Sequence, residues 1–253
     1  MDTMDKRMNN LMMIRRSLLD AFNDNIESAI VYGSTLNADF CEASDYDVLV
    51  IFRKLTVSDL NAIRAIKEEY ERLGIIIDFN SHLVSDLPSE RGGLYWHNNR
   101  SVFIQKELAL TGLPIIGSNP FADYEVNIEE MQIETLRMLN SFAYQARKTI
   151  VNKDLTHCDE NKIFIIKWCI YASLYLLAAN GHFFKSRRDG LEIFSKVFDT
   201  DINPMVFLDM KVNRPHNISL EDIEMAYDYL NYLDKTAWQL YSSAQCISSV
   251  VAS

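Results

Sequence analysis

The stretch VYGSTLNADFCEASDYDVLVIF, residues 31–52, decides how the first half of this chain reads. Ser28 to Tyr32 forms a short apolar run that ends at Gly33-Ser34. Ten residues separate Ser34 from Asp45-Tyr46-Asp47, which open the β-branched and aromatic run Tyr46 to Phe52, a strand candidate. Residues i and i+2 of a strand point the same way, so Asp45 and Asp47 are expected to present two carboxylates on one face. Further on, GIIIDFN, Gly74 to Asn80, reads as a third strand with Asp78 set among Ile75, Ile76, Ile77 and Phe79. A carboxylate inside such a run costs desolvation energy unless opposite charge compensates it, so Asp78 is expected to be buried for a functional reason. If the three strands are neighbours, three carboxylates converge on one spot.

That pattern suits phosphoryl transfer. Mg²⁺ is a hard cation that prefers a few carboxylates together with phosphate oxygens. Two such ions can clamp the attacking and leaving oxygens of an in-line displacement. Gly33 allows a phosphate to approach the backbone closely, Ser34 adds a hydroxyl, and the amides of a following helical turn favour an anion. A Gly-Ser turn or a D-x-D strand end is commonplace by itself. The three elements in this order and at this spacing are not.

Outward from this core, residues 5–23 carry Leu11, Ile14, Leu18 and Phe22 at helical spacing, and Ser58 to Leu73 is an amphipathic helix closed by Gly74. Strands alternating with helices indicate an α/β, or α+β, domain built on a mixed sheet. A further helix is predicted over 102–111, followed by an irregular connector, LPIIGSNP, at 113–120. Beyond Ile128 the pattern is helical, with helices expected near 128–152, 160–180, 187–198 and 219–247. We therefore expect two domains, a nucleotide-handling domain at 1–120 and a helical-bundle domain at 121–253, with the active site in the cleft between them.

Bulk properties narrow the partners. Asp and Glu outnumber Lys and Arg by 35 to 25, a formal charge of −10. A protein that coats DNA or RNA would be basic, so nucleic acid is an unlikely partner, whereas a cationic small molecule is attracted by this field. Cys41, Cys158, Cys169 and Cys246 form no CxxC pair, and the five histidines show no zinc spacing. These read as reduced thiols of a cytoplasmic protein. The N-terminus lacks a secretory apolar core, and the most apolar run, Trp168 to Ala179, is short for a bilayer span and reads as a buried helix.

The residues quoted above resemble the signature of the DNA polymerase β-type nucleotidyltransferases: G-S, about ten residues, D-x-D, then an acidic residue on a later strand. The resemblance implies an enzyme that moves a nucleoside monophosphate from an NTP to an acceptor. It implies that Gly33 and Ser34 hold the triphosphate, that Asp45 and Asp47 bind Mg²⁺ (two ions), and that Asp78 completes the metal site or acts as general base. A looser resemblance, to the bacterial aminoglycoside nucleotidyltransferases that adenylylate streptomycin and spectinomycin, rests on LALTGLPIIGSNP and on DENKIFIIKWCIYASLYLLAANGHFFKSRRDGLEIF. It implies ATP as co-substrate and a hydroxyl of a small, aminoglycoside-like acceptor. The third acidic residue of that group is typically Glu. Asp78 is shorter, which leaves open whether it is the base or a metal ligand only. Toxin–antitoxin nucleotidyltransferases that modify protein or tRNA, and non-catalytic nucleotide-binding modules, are the alternative readings.

Secondary candidates lie outside the signature. Lys185, Arg187 and Arg188 are expected to meet the β- and γ-phosphates across the cleft, against a plain reading in which Ser186 caps a helix with Asp189 three residues on. Tyr95-Trp96-His97 is a candidate acceptor pocket, or a loop anchored by its rings. Glu129, Glu130 and Glu134 open a helix whose dipole favours them in any case.

Overall fold

The computed structural model describes residues 3–36, 45–87, 102–156 and 158–242. The chain divides into two compact units, Met1–Glu125 and Val126–Ser253. Phe121, almost fully buried, still belongs to the core of the first unit, which is why that unit runs past Pro120.

In the first unit, α1 (Thr3–Phe22) leads into β1 (Ile26–Tyr32), a single 3-10 turn at Gly33–Leu36, and β2 (Tyr46–Phe52). Then come α2 (Val57–Arg72), β3 (Ile77–Leu83), α3 (Val102–Thr111) and β4 (Leu113–Ile116). The sheet order is β3-β2-β1-β4. β1 is antiparallel to β2 and β4, and β2 is parallel to β3, with α2 as the crossover, so the sheet is mixed. The segment LPII, expected to be irregular, is a strand because it pairs with β1, a tertiary contact without a local sequence signal.

Both faces of the middle strands β1 and β2 are covered. Ala29, Val31, Val48, Val50, Phe52 and Ile77 pack against Leu11, Ile14 and Leu18 of α1 and Ile63, Ile66 and Tyr70 of α2. Ile30, Tyr32, Leu49 and Ile51 pack on the other side with Leu87, Leu108 and Phe121. A strand buried on both faces carries an unbroken apolar run, as YDVLVIF does.

β3 begins three residues later than the sequence suggests. Gly74, at φ +74°, ends α2 in a Schellman motif: its N–H donates to the Glu71 carbonyl at 3.0 Å, and the Ile75 N–H to the Tyr70 carbonyl at 2.9 Å. The cap consumes the first residues of the apolar run, and β3 starts at Ile77 on the sheet's edge.

The second unit holds α4 (Ile128–Asn152), α5 (Asp159–Ala179), α6 (Arg187–Val197), α7 (Met205–Asn213) and α8 (Leu220–Tyr241). Among its described residues there is no strand. Asn127 caps α4, and Ser219 and Asp222 close a capping box on α8. α5 is long and apolar enough to cross a membrane by length and composition, yet most of it is buried within the unit, as a core helix would be. Ser173 on α5 meets the Tyr229 hydroxyl of α8 at 2.8 Å, and Thr135 donates to the Tyr175 carbonyl at 3.2 Å, so these buried hydroxyls each have a partner. α7 carries no sequence signal: nine mostly apolar residues show no helical stripe.

Candidate active site

Three residues stand side by side across the sheet. Tyr32 at the end of β1 pairs with Asp47 of β2, and Asp47 pairs with Asp78 of β3. Neighbouring strands project paired residues to one side, so this row occupies one face, the face that carries Ile30, Leu49 and Ile51 deeper in the sheet. Asp45 sits one residue before β2, partly exposed, and shares the parity of Asp47. The topology therefore places the three carboxylates at one end of the sheet.

The Gly33 turn lies directly against this row. Gly33 has φ +73°, and a β-carbon built there would run into Oδ2 of Asp47. Only glycine lets the chain turn here while the carboxylate stays in place. The next two residues, Ser34 and Thr35, are buried, so Ser34 offers no exposed hydroxyl in this arrangement. Thr35 Oγ1 donates to the Asp45 carbonyl at 3.2 Å, and Arg7 Nη1 of α1 donates to the Thr35 carbonyl at 2.9 Å. Through Thr35 the turn is thus tied to Asp45 and, from below, to α1.

Asp78 departs from expectation. It is exposed, not embedded among isoleucines. Side chains alternate along β3, so Ile77 enters the core while Asp78 points to the other face, and an edge strand leaves that face open. The desolvation argument for Asp78 therefore falls away, and its case rests on its place opposite Asp47. The three carboxylates also do not close into a cage: among the described residues, no three His, Cys, Asp or Glu side chains come together to hold a metal ion. Asp47 lies against Gly33, whereas Asp78 Oδ2 is 3.5 Å from Asn80 Nδ2.

Two residues of this face escaped the sequence reading. Tyr32 reads only as the end of the first strand, and Asn80 as the end of the third. Asn80 Nδ2 donates to the Tyr32 hydroxyl at 3.1 Å, which joins β3 to β1 over Asp47. The period of two from Asp78 was the available signal.

A family model described as Polymerase beta, Nucleotidyltransferase matches residues 17–91, which span β1, the Gly33 turn, β2, α2 and β3. The first unit carries a polymerase β-type nucleotidyltransferase domain. No curated protein matches the chain at the sequence level. Among solved structures, spectinomycin adenyltransferase AAD(9) from Enterococcus faecialis, determined with ATP and spectinomycin, has a similar fold. The TM-score is 0.61 at 10% sequence identity, over 91% of this chain and 98% of that one. The likeness thus extends beyond the nucleotidyltransferase domain into the helical unit. Residues 17–91 thus match a polymerase β-type nucleotidyltransferase domain, and the fold of the chain is similar to that of spectinomycin adenyltransferase.

Lys185, Arg187, Arg188, Glu129 and Glu130 lie in the helical unit. Arg187 Nη2 donates to the Tyr171 hydroxyl at 2.6 Å, and its guanidinium lies over the Tyr171 ring at 5.2 Å. Lys185 and Arg188 are exposed, and Ser186 does cap α6, accepting from the Asp189 N–H at 3.1 Å. Glu129 and Glu130 lie in the first turn of α4, where the Asn127 side chain accepts from both amides. Tyr95, Trp96 and His97 lie outside the described residues.

Proposed function

We propose that this nucleotidyltransferase moves AMP from ATP to a hydroxyl of a small, cationic, aminoglycoside-like acceptor. The single observation that carries the reading is the row Tyr32–Asp47–Asp78 with the Gly33 turn against Asp47. It sets a phosphate-accommodating turn beside two carboxylates on one face, with Asp45 next to them. In the transfer, the acceptor oxygen bonds to the α-phosphorus, the bond from the α-phosphorus to the bridging oxygen of the β-phosphate breaks, and pyrophosphate leaves. The hydroxyl proton passes to Asp78 or to solvent.

The donor set fits Mg²⁺, because Asp45, Asp47 and Asp78 supply hard anionic oxygens and a triphosphate supplies the rest. These three residues would hold it. When bound, the cation offsets the charge that builds on the transferring phosphoryl group. The chain's own part is placement. Thr35 holds the Gly33–Leu36 turn to Asp45, and the strand register holds Asp47 beside Asp78. The net charge of −10 suits a cationic acceptor, and a cytoplasmic location, where thiols stay reduced, agrees with free Cys158 and Cys169.

The test is a panel of NTPs with Mg²⁺ and a library of small hydroxylated acceptors, spectinomycin and streptomycin among them, read as pyrophosphate release. Acceptor-dependent release with ATP preferred is the expected result. No release above background with any pair overturns the reading.

Lys185, Arg187 and Arg188 with the Gly33–Ser34 turn are the proposed triphosphate residues, and the buried Ser34 would take part through the turn's backbone and not its hydroxyl. Lys185 and Arg188 are exposed, so they are the ones to remove. Lys185→Ala and Arg188→Ala are each expected to weaken ATP binding on the order of tenfold, as loss of one charge-assisted phosphate contact does. Calorimetric dissociation constants equal to wild type for both variants remove them from the site.

A further inference from the structure

We propose that Asn80, anchored on Tyr32, is a positioning residue that fixes the Asp78 carboxylate for the transfer reaction. The inference rests on the function proposed above and extends it to a residue that neither the signature nor the family match singles out.

The starting point is the exposure of Asp78. Among the described residues β3 is an edge strand, with β2 as its one neighbouring strand, and the Asp78 side chain faces away from the α1–α2 core. Such a carboxylate has three staggered χ1 wells open to it. A group that must meet a reacting hydroxyl or a cation has to occupy one of them, because small misplacements near the chemistry cost rate. Something must therefore choose the rotamer.

Asn80 is placed to do so. It lies two residues along β3, on the same face as Asp78, and pairs with buried Leu49. A residue beside Leu49 and Tyr32 would extend the apolar cluster if it were Val or Leu. An amide there needs polar partners. The Nδ2 group has two N–H bonds: it lies 3.1 Å from the Tyr32 hydroxyl and 3.5 Å from Asp78 Oδ2. The charge on Asp78 decides which end of the amide faces it, since the carbonyl end would be repelled. Tyr32 is itself fixed, with its ring buried among Ile30, Leu49 and Ile51. It also precedes Gly33. The amide therefore links the third carboxylate to the strand that ends in the Gly33 turn, reaching over the Asp47 that stands between them.

The test uses the full chain with Asn80→Ala, Asn80→Asp and Tyr32→Phe. Asn80→Asp keeps the shape, removes the donor and guards against misreading a folding defect in Asn80→Ala. The first measurement is the pair of three-bond couplings to the Asp78 Cγ by NMR, which report its χ1 distribution without nucleotide or acceptor. A single rotamer in wild type and averaged couplings in both Asn80 variants are expected, with Tyr32→Phe in between. The second is steady-state transfer: kcat lower on the order of tenfold in both Asn80 variants, with KM for ATP within about twofold, as for loss of an orienting partner. The Tyr32→Phe change should add little in the Asn80→Ala background, because both act through one hydrogen-bond chain. Asp78 couplings already averaged in wild type, or unchanged in Asn80→Ala, overturn the inference whatever the activity. A wild type that releases no pyrophosphate overturns the proposed function instead, so the two failures are distinct.

Discussion

Asp47→Asn is expected to lower acceptor-dependent pyrophosphate release by on the order of a thousandfold or more. Asp47 is the middle of the row, between Tyr32 and Asp78, and it lies against the Gly33 turn. Asn keeps its size and its strand, but not the charge that a phosphate-bound cation needs. The fold should survive, because Val48, Leu49 and Val50 carry the burial of β2. The melting midpoint without ligand should stay near wild type. Mg²⁺–ATP at about 100 times its dissociation constant should stabilise wild type by about 2.7 kcal/mol through preferential binding to the folded state, and most of that gain should vanish in Asp47→Asn. Turnover near normal in this variant would sink the active-site assignment.

Gly33→Ala is expected to abolish activity for a different reason, and Gly74→Ala supplies the control. Both glycines have nearly the same left-handed φ, +73° and +74°. A side chain in that region costs roughly 1–2 kcal/mol at either position. The surroundings differ. A β-carbon on Gly74 meets open space, whereas one on Gly33 strikes the Asp47 carboxylate. A carboxylate is the flexible end of its side chain, so it will swing aside and leave the backbone in place. Similar losses of thermal midpoint are therefore expected in both variants. Activity should fall at least a hundredfold in Gly33→Ala only, as a displaced catalytic group would cause. Equal activity in the two variants would show that Asp47 need not lie where it does.

The elements written by strong local chemistry were legible before any coordinates. YDVLVIF forms β2 over the residues expected, and the two-sided apolar run is the reason. The helices expected near 128–152 and 219–247 begin at Ile128 and Leu220, where the structure shows Asn127 and Ser219 as caps. LPII was not legible, since its strand exists only because β1 offers a free edge. The start of β3 was misread because Gly74 and Ile75 serve the end of α2 before they can serve a strand. α7 was missed because a short apolar segment carries no period.

At the candidate active face the division is sharper. The order G-S, D-x-D and a later acidic residue is a covalent property of the chain, and with the alternation of strand side chains it determined which residues share a face. That part needs no tertiary information, because the period of two is built into an extended backbone. Whether those strands are neighbours, and in what register, depends on contacts far apart in sequence. Tertiary structure alone set Asp78 opposite Asp47, seated Asp47 on Gly33 and brought Asn80 to Tyr32, since each is a pairing of distant residues through a sheet. It also placed Asp78 on an open edge, because exposure is decided by what packs against a strand and not by the isoleucines beside it in the chain.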